Sequence, residues 1–238
     1  MLSIWYVDPA TMTDDALLAR FRSWLDDTEK QRMDRFVQPK HQHAFLVSHA
    51  LVRRKLSDEL GCEPCDIKFT TCGRGKPVLS SDHHLHFNLS HTDGLAALAI
   101  ANHPIGLDVE WLGRKGPGLD LAHRYFTDNE YRDIASQPRE QQHHRLLTYW
   151  TLKEAYLKAQ GWGIVDSLDG FEFALEPRGN LQIDRIELII RHQALAPTFN
   201  WNFHHRRIGN AHLLSIASVA TAAEVAEVPC QAWQPQHH

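Results

Sequence analysis

The chain has 238 residues, of which 43% are hydrophobic, so it is long enough to bury the core of one large domain or of two small ones. Its formal net charge of −4 argues against general nucleic-acid binding, which requires a basic surface. No apolar run approaches the ~18 residues that span a bilayer, and no secretory signal opens the sequence, so we expect a cytoplasmic protein that uses no membrane. In a reducing compartment its four cysteines, Cys62, Cys65, Cys72 and Cys230, are expected to form no disulfides.

The predicted elements run from helices to strands, and then repeat that order. In the first half we predict a strand, three helices and four short strands at 3–8, 13–25, 28–36, 40–60, 67–70, 77–79, 85–89 and 95–101. In the second half we predict a strand, three helices and four strands at 105–111, 119–125, 128–136, 138–160, 171–175, 181–191, 199–204 and 213–219. This order predicts an α+β fold with halves at 1–104 and 105–223. A tail at 224–238 is weakly determined, and we expect its last residues to be mobile.

The segment 28–55 is locally basic although the whole chain is acidic. It contains seven Lys or Arg residues and two acids, an excess of +5 (7 − 2). One interpretation is a solvated helix face, and the other is an anion-binding site to which nearby histidines add charge.

Two other patterns are weaker evidence for a binding site. Cys62 and Cys65 have the spacing of half a zinc site, but the sequence has no second such pair. The Gly-rich stretch 72–76 is not a phosphate-binding P-loop, because Pro77 stands where that motif has Ser or Thr and no helix is predicted to follow.

The strand predicted at 105–111 places two acidic residues on one face. Its odd-numbered apolar residues point one way, and Gly106, Asp108 and Glu110 point the other. Neighbouring carboxylates repel each other, so a bare pair is costly unless it is protonated or neutralised. A hard divalent cation such as Mg²⁺ is the usual partner of such a pair.

The helix predicted at 138–160 contains the second acidic site. Glu154 and Lys158 are four residues apart and therefore share one face, with Trp150 one turn earlier. Taken alone, this spacing indicates an ordinary solvated Glu–Lys pair.

The two stretches together carry a resemblance. Residues 106–110 (GLDVE) and 150–158 (WTLKEAYLK), with the upstream stretches 75–77 (GKP) and 88–91 (NLSH), resemble the motifs of the long, monomeric type of 4′-phosphopantetheinyl transferase. All four stretches occur in the order of the family. The resemblance covers residues 75–158, and the chain length suits the family.

The resemblance implies both a fold and a reaction. It implies two similar α/β halves related by a pseudo-two-fold, each a small and mostly antiparallel sheet packed on a long helix, with coenzyme A in the cleft between them. It implies transfer of the phosphopantetheine arm of coenzyme A to a serine of an apo acyl, aryl or peptidyl carrier protein, with release of 3′,5′-ADP. We expect a monomer that depends on Mg²⁺, with Mn²⁺ able to substitute, and we expect the carrier to contact the region around 119–131.

The resemblance also assigns roles to individual residues. It implies that Asp108, Glu110 and Glu154 bind the metal and that Lys158 neutralises the bridging phosphate region. The catalytic residues it implies are Asp108, Glu154 and Lys158. Either Glu154 or a metal-bound water takes the serine proton, and the sequence leaves both open.

The residues expected to bind coenzyme A lie further upstream. The resemblance assigns phosphate contacts to Lys158, Lys76, Ser90 and His91, and Pro77 fixes the backbone after Lys76. Basic residues of the early helices are expected near the 3′-phosphate: Lys30, Arg32 and Arg53. His91 has the alternative of a partly buried structural role, or of a metal cluster with His83, His84 and His86.

Two other functions stay open from the sequence. A catalytically idle protein that binds coenzyme A or a carrier would need no set of three carboxylates. A different Mg²⁺ enzyme acting on nucleotides is supported by the acidic residues alone.

Overall fold

The computed structural model describes residues 1–81, 84–114, 118–163, 168–177, 183–192, 197 and 199–235. The first half contains β1 (Leu2–Val7), α1 (Asp15–Trp24), α2 (Asp27–Asp34), α3 (Pro39–Leu60), β2 (Phe69–Cys72), β3 (Lys76–Leu79), β4 (His86–Thr92) and β5 (Leu95–Ala101). The rest of the chain contains β6 (Ile105–Trp111), α4 (Leu119–Tyr125), α5 (Asp128–Ser136), α6 (Arg139–Gln160), β7 (Phe171–Pro177), β8 (Ile183–Ile190), β9 (Asn202–Ile208), β10 (His212–Ser218), α7 (Ala222–Glu227) and β11 (Cys230–Ala232). The predicted α+β class is confirmed, with small and mostly antiparallel sheets. Within the described ranges, every helix is too short or too polar to cross a lipid bilayer.

The first half packs the long helix α3 against a four-stranded sheet with the order β11-β1-β5-β4. Strand β5 lies inside this sheet and is buried along its whole length, which explains its uninterrupted apolar sequence. Helix α3 begins at Pro39 and ends before Gly61, whose positive φ of 66° closes the last turn. The core between helix and sheet includes Phe45, Leu51, Leu56, Leu98 and Ile100.

The second half repeats this arrangement with α6 and a three-stranded sheet of order β6-β10-β9. Its core includes Leu152, Tyr156, Phe171, Phe203 and Leu213. The predicted alternation of β6 is confirmed. Ile105, Leu107 and Val109 are buried in an apolar cluster that also includes Ile4 of β1, whereas Gly106 on the other face meets α6.

The two halves meet where β4 runs beside β6. Side chains of β4 accept hydrogen bonds from backbone N–H groups of β6: Leu107 to Asn88 at 2.8 Å, Val109 to Ser90 at 3.3 Å and Trp111 to Thr92 at 3.3 Å. These bonds satisfy β6 along the edge where a further strand would pair. They also hold Ser90 of β4 next to Asp108 of β6.

The residues after 220 contribute to the first half. Strand β11 pairs in parallel with β1, with Cys230 opposite Ile4, and Trp233 stacks on Phe21 at a centroid distance of 5.3 Å. Helix α7 begins with a capping box formed by Thr221 and Glu224. The sequence patterns predicted neither element. The expected mobility of the last residues concerns 236–238, which lie outside the described residues.

Candidate active site

Strand β6 and helix α6 bring three carboxylates and one amine together at the junction of the halves. Gly106 permits this approach, because a Cβ at that position would lie 2.0 Å from the carbonyl oxygen of Ala155. The backbone of α6 therefore passes directly over the strand, two residues before its first acid. The side chains brought together are Asp108, Glu110, Glu154 and Lys158.

Lys158 binds Asp108 and Ser90 at the same time. Its Nζ lies 2.6 Å from Asp108 Oδ1 and donates to Ser90 Oγ at 2.9 Å. The Ser90 hydroxyl in turn donates to Asp108 Oδ1 at 2.8 Å. One carboxylate oxygen of Asp108 is thus held by an amine and a hydroxyl, and the amine offsets its charge.

Glu110 has a second cationic partner, because the guanidinium of Arg114 binds its Oε1. Burial and the neighbouring Asp108 raise the pKa of Glu110 above its usual value, and Arg114, Lys158 and Thr92 oppose this rise. The side chain therefore lies in a crowded acidic site, where nearby cations offset part of its charge.

Glu154 differs from the other two carboxylates in its partners. Its Oε1 is buried, and neither this atom nor Oδ2 of Asp108 has a hydrogen-bond partner among the described residues. Burial, Asp108 and Glu110 raise the pKa of Glu154 to about 7, although Lys158 lowers it. A carboxyl group with these neighbours binds a proton or a cation near neutral pH.

A groove in the first half reaches His91, the residue that follows Ser90 on β4. A cavity of about 250 Å³ lies between α3 and the sheet, and its lining includes Arg32, His49, Pro77 and His91. The Nδ1 of His49 is 2.7 Å from Glu29 Oε1, which orients its imidazole ring. The cavity combines cationic and aromatic side chains, the chemistry that suits a planar base and a phosphate.

A larger cavity of about 600 Å³ continues past His91 toward the start of α3. Its lining includes Phe36, Phe45, Thr92 and Gly94. Because His91 borders both cavities, one elongated ligand that follows the groove would pass His91 and reach Thr92, whose hydroxyl accepts a bond from the N–H of Trp111 on β6.

Comparison with known proteins identifies the family. A model of the 4′-phosphopantetheinyl transferase superfamily matches residues 104–227, and a model of the N-terminal part of 4′-phosphopantetheinyl transferases matches residues 13–103. The chain belongs to the 4′-phosphopantetheinyl transferase superfamily. The expected resemblance and the expected class of enzyme are therefore confirmed.

Named relatives agree with this membership. The chain is 40% identical to the 4′-phosphopantetheinyl transferase HetI of Nostoc sp. over 157 residues, which cover 64% of this chain and 66% of HetI. It is 30% identical to the 4′-phosphopantetheinyl transferase Sfp of Bacillus subtilis over 165 residues, which cover 69% of this chain and 73% of Sfp. The human L-aminoadipate-semialdehyde dehydrogenase-phosphopantetheinyl transferase is 27% identical over 79% of this chain and 65% of its own length.

The carboxylates of this superfamily member fit a hard divalent cation. Asp108 and Glu154 each have a buried oxygen without a partner among the described residues, and carboxylate oxygens are the donors that Mg²⁺ and Mn²⁺ prefer. The described part of the chain holds no group of three His, Cys, Asp or Glu side chains already arranged as a metal site. Two of the carboxylates are instead bound to Lys158 and Arg114.

Lys76 joins the two halves in this structure. Its Nζ donates to the carbonyl oxygens of Ile105 and Ala159, each at 3.2 Å. Burial lowers the pKa of Lys76 to about 8. The amine lies at the C-terminal end of α6, close to the start of the acidic strand.

Three of the residues expected to bind coenzyme A lie along the groove: Arg32, Pro77 and His91. Partial desolvation and the nearby Lys158 lower the pKa of the His91 imidazole. Ser90 lies at the junction, but its hydroxyl is already bound to Asp108 and Lys158. Lys30 makes a long ion pair of 4.0 Å with Asp27.

Arg53 lies inside the first half and not in the groove. Its side chain is fully buried, with its nitrogens bound to Asp26 and Glu29 and to the carbonyl oxygens of Pro64 and Ile67. A guanidinium with these four partners has no donor left to offer a phosphate. The structure therefore gives Arg53 the role of joining α2, α3 and the loop that follows α3.

The remaining metal hypotheses gain no support from the described residues. Cys62 and Cys65 are exposed free thiols. Of the histidines proposed as a cluster, His83 lies outside the described residues. The pair His84 and His86 is not part of any three-residue ligand group found in the described part of the chain.

Four residues at or beside the site were given no individual role from the sequence patterns: His49, Asn88, Thr92 and Arg114. Asn88 lies within the stretch that carries the resemblance, and its bond to Leu107 N shows why a short amide suits that position. Arg114 comes four residues after Glu110, and the two side chains meet only because the chain turns back after β6. Sequence periodicity gives no signal for such a turn.

Lys153, next to Glu154 on α6, holds the helix from its other side. It is fully buried, and its Nζ binds Glu130 at 2.9 Å and the carbonyl oxygens of Leu168 and Phe171 at 2.7 Å. This buried ion pair anchors α6 to α5 and β7, and so fixes the direction in which Glu154 projects.

Proposed function

We propose that the protein transfers the 4′-phosphopantetheine arm of coenzyme A to a serine of an apo acyl, aryl or peptidyl carrier protein and releases 3′,5′-ADP. One observation carries this proposal: Glu154 has a buried oxygen without a partner among the described residues, and Asp108, Glu110 and Lys158 lie close enough to act on its charge. Pure binding of coenzyme A needs no such convergence of acids. Membership of the superfamily supplies the reaction class.

The groove suits the binding of coenzyme A. The adenosine and its 3′-phosphate would occupy the smaller cavity, where Arg32, His49 and His91 supply positive charge or donors and Pro77 supplies a flat apolar surface. The pyrophosphate would then lie near Lys158. The larger cavity past His91 is available for the pantetheine arm.

We propose Asp108, Glu110 and Glu154 as the residues that hold Mg²⁺, with Mn²⁺ able to substitute. A divalent cation bound there supplies charge neutralisation for the pyrophosphate. Ser90 keeps Asp108 oriented through its hydroxyl, and Lys158 adds a positive charge beside the same oxygen. Glu154 is the side chain that we propose for the serine proton, because one of its oxygens accepts no hydrogen bond from the part of the chain that the structure describes.

The carrier would approach along α4 and α5. Helix α4 exposes Arg124 and α5 exposes Arg132, and these two side chains would pair with an acidic carrier helix; Asp120 and Asp128 are exposed at the starts of the same helices. We further propose that the protein acts as a monomer in the cytoplasm. Its division into halves at 1–104 and 105–223 is supported by the separate family matches at 13–103 and 104–227.

A transfer assay tests the proposed function. The protein is incubated with Mg²⁺, coenzyme A and a panel of apo acyl and peptidyl carriers, each paired with its Ser→Ala variant. Intact-mass spectrometry is expected to show the gain of one phosphopantetheine by serine-containing carriers alone. Binding of coenzyme A without any mass gain across the panel would contradict transfer and favour an idle binding protein.

A further inference from the structure

Arg114 lies at the edge of the acidic centre and binds one of its carboxylates. Its guanidinium contacts Oε1 of Glu110, and this interaction opposes the rise in the pKa of Glu110 that burial causes. The residue follows β6 in a turn, where its backbone N–H donates to the carbonyl oxygen of Trp111 at 3.0 Å. The turn directs the side chain back along the strand toward Glu110.

The backbone of this turn is fixed, whereas the Arg114 side chain is partly free. A Cβ at Gly113 would lie 2.3 Å from the Trp111 ring, so the indole packs directly against the turn. The N–H of Trp111 is bound to Thr92. The Arg114 side chain itself is 46% exposed, so its guanidinium can leave Glu110 without any change in the backbone.

Lys158 makes a more enclosed contact with Asp108. Its side chain is 28% exposed, and it also bonds to Ser90 and to the carbonyl oxygen of Leu107. Two cationic side chains therefore occupy carboxylates that the proposed metal needs. Of these two, Arg114 is held by fewer contacts among the described residues.

A divalent cation held by Glu110 would compete with the Arg114 guanidinium for Oε1 of that side chain. Like charges held a few ångströms apart repel each other, so the cation would also repel the guanidinium. In this structure the guanidinium offsets part of the charge of Glu110. Because the Arg114 side chain is half-exposed, it would have room to move into solvent.

We propose that Arg114 is an exchangeable counter-ion of Glu110 that competes with the divalent cation and weakens its binding to the substrate-free protein. The inference rests on the proposed function, because it requires the cation site. Arg114 would then set the concentration of Mg²⁺ or Mn²⁺ at which the substrate-free protein binds the cation.

Binding of Mn²⁺ alone tests this inference without reference to turnover. Electron paramagnetic resonance of free Mn²⁺ gives the dissociation constant for wild type and for Arg114→Gln, Arg114→Lys and Arg22→Gln. The matched control is Arg22, which is 48% exposed and pairs with Asp34 on the surface of the first half. Its variant loses the same charge and a comparable ion pair.

We expect Arg114→Gln to bind Mn²⁺ about two- to fivefold more tightly than wild type, the range that an exposed ion pair accounts for. Arg114→Lys should keep an affinity close to that of wild type, and Arg22→Gln should change it little. Unchanged or weaker binding by Arg114→Gln would overturn the inference and leave the proposed function standing. Absence of Mn²⁺ binding by wild type and every variant would refute the metal site and the inference together.

Discussion

Gly106→Ala tests the close approach of α6 to β6, on which the active centre depends. The added Cβ would lie 2.0 Å from the carbonyl oxygen of Ala155 and 2.5 Å from the backbone nitrogen of Ala159. Both neighbours are backbone atoms of α6, so no side chain can rotate away. Ordinary contact begins at 3.4 Å, so helix and strand must separate by about 1.4 Å (3.4 − 2.0).

This separation has two consequences. Forcing a methyl group into a packed interface costs about 1–3 kcal/mol of the free energy of unfolding. Moving Glu154 by about 1 Å from the acids of β6 is expected to lower kcat by on the order of 10²-fold. The loss of activity should therefore exceed what the loss of stability explains under conditions in which the variant is folded.

Urea unfolding and the carrier transfer assay measure the two effects separately. Ser23→Ala is the control, because this exposed side chain of α1 lies outside the active site and bonds only to the carbonyl oxygen of Arg20 among the described residues. It should leave both measurements close to wild type. If Gly106→Ala is destabilised and still transfers at a normal rate, the tight spacing of Glu154 and the acidic strand is not required, and the reasoning fails.

Three further outcomes follow from the contacts described. The resemblance assigns Lys76 to a phosphate of coenzyme A, and on that expectation Lys76→Ala should raise the apparent KM for coenzyme A about tenfold or more while lowering kcat less; an unchanged KM would leave Lys76 with only its bonds to Ile105 and Ala159. Lys153→Met should reduce the free energy of unfolding in urea by about 3–5 kcal/mol, because it leaves Glu130 buried without its partner, and a loss below about 1 kcal/mol would contradict this role. Burial lowers the pKa of His144 to about 4 from 6.5, so the folded state binds fewer protons than the unfolded state and stability falls as the pH drops below 6.5. Between pH 7 and 5 wild type should lose on the order of 2 kcal/mol through this group, and His144→Gln should lose correspondingly less, whereas the exposed control His192→Gln should follow wild type.

Local patterns in the sequence predicted the elements that carry the site. Apolar and polar residues alternate with a period of two in 105–111. This alternation predicted both the strand and the face that carries Asp108 and Glu110, because successive side chains of a strand point to opposite sides. The four-residue spacing of Glu154 and Lys158 gave their common face on α6. The helix predicted at 128–136 begins as its sequence indicates, with Thr127 and Glu130 forming a capping box.

The features that these patterns did not predict depend on tertiary contacts. Arg53 belongs to a basic segment that suited a phosphate site, but Asp26 and Glu29 of α2 enclose it, and no spacing within the sequence reveals that enclosure. The pairing of β11 with β1 joins residues more than 200 positions apart through a strand of three residues, too short for a periodic signal. Ser90 resembled a phosphate ligand and is found with its hydroxyl bound to Asp108, a partner supplied by the junction of the halves.

The most direct test of the account is the rate at which Glu154→Gln transfers phosphopantetheine to an apo carrier with saturating Mg²⁺ and coenzyme A. The amide keeps the shape of the side chain but gives up its negative charge and its capacity to accept the serine proton, so we expect kcat to fall on the order of 10²–10⁴-fold with coenzyme A still bound. The exposed Glu140→Gln on the same helix should transfer like wild type. Near-normal turnover by Glu154→Gln would show that neither the metal nor the proton depends on this carboxylate.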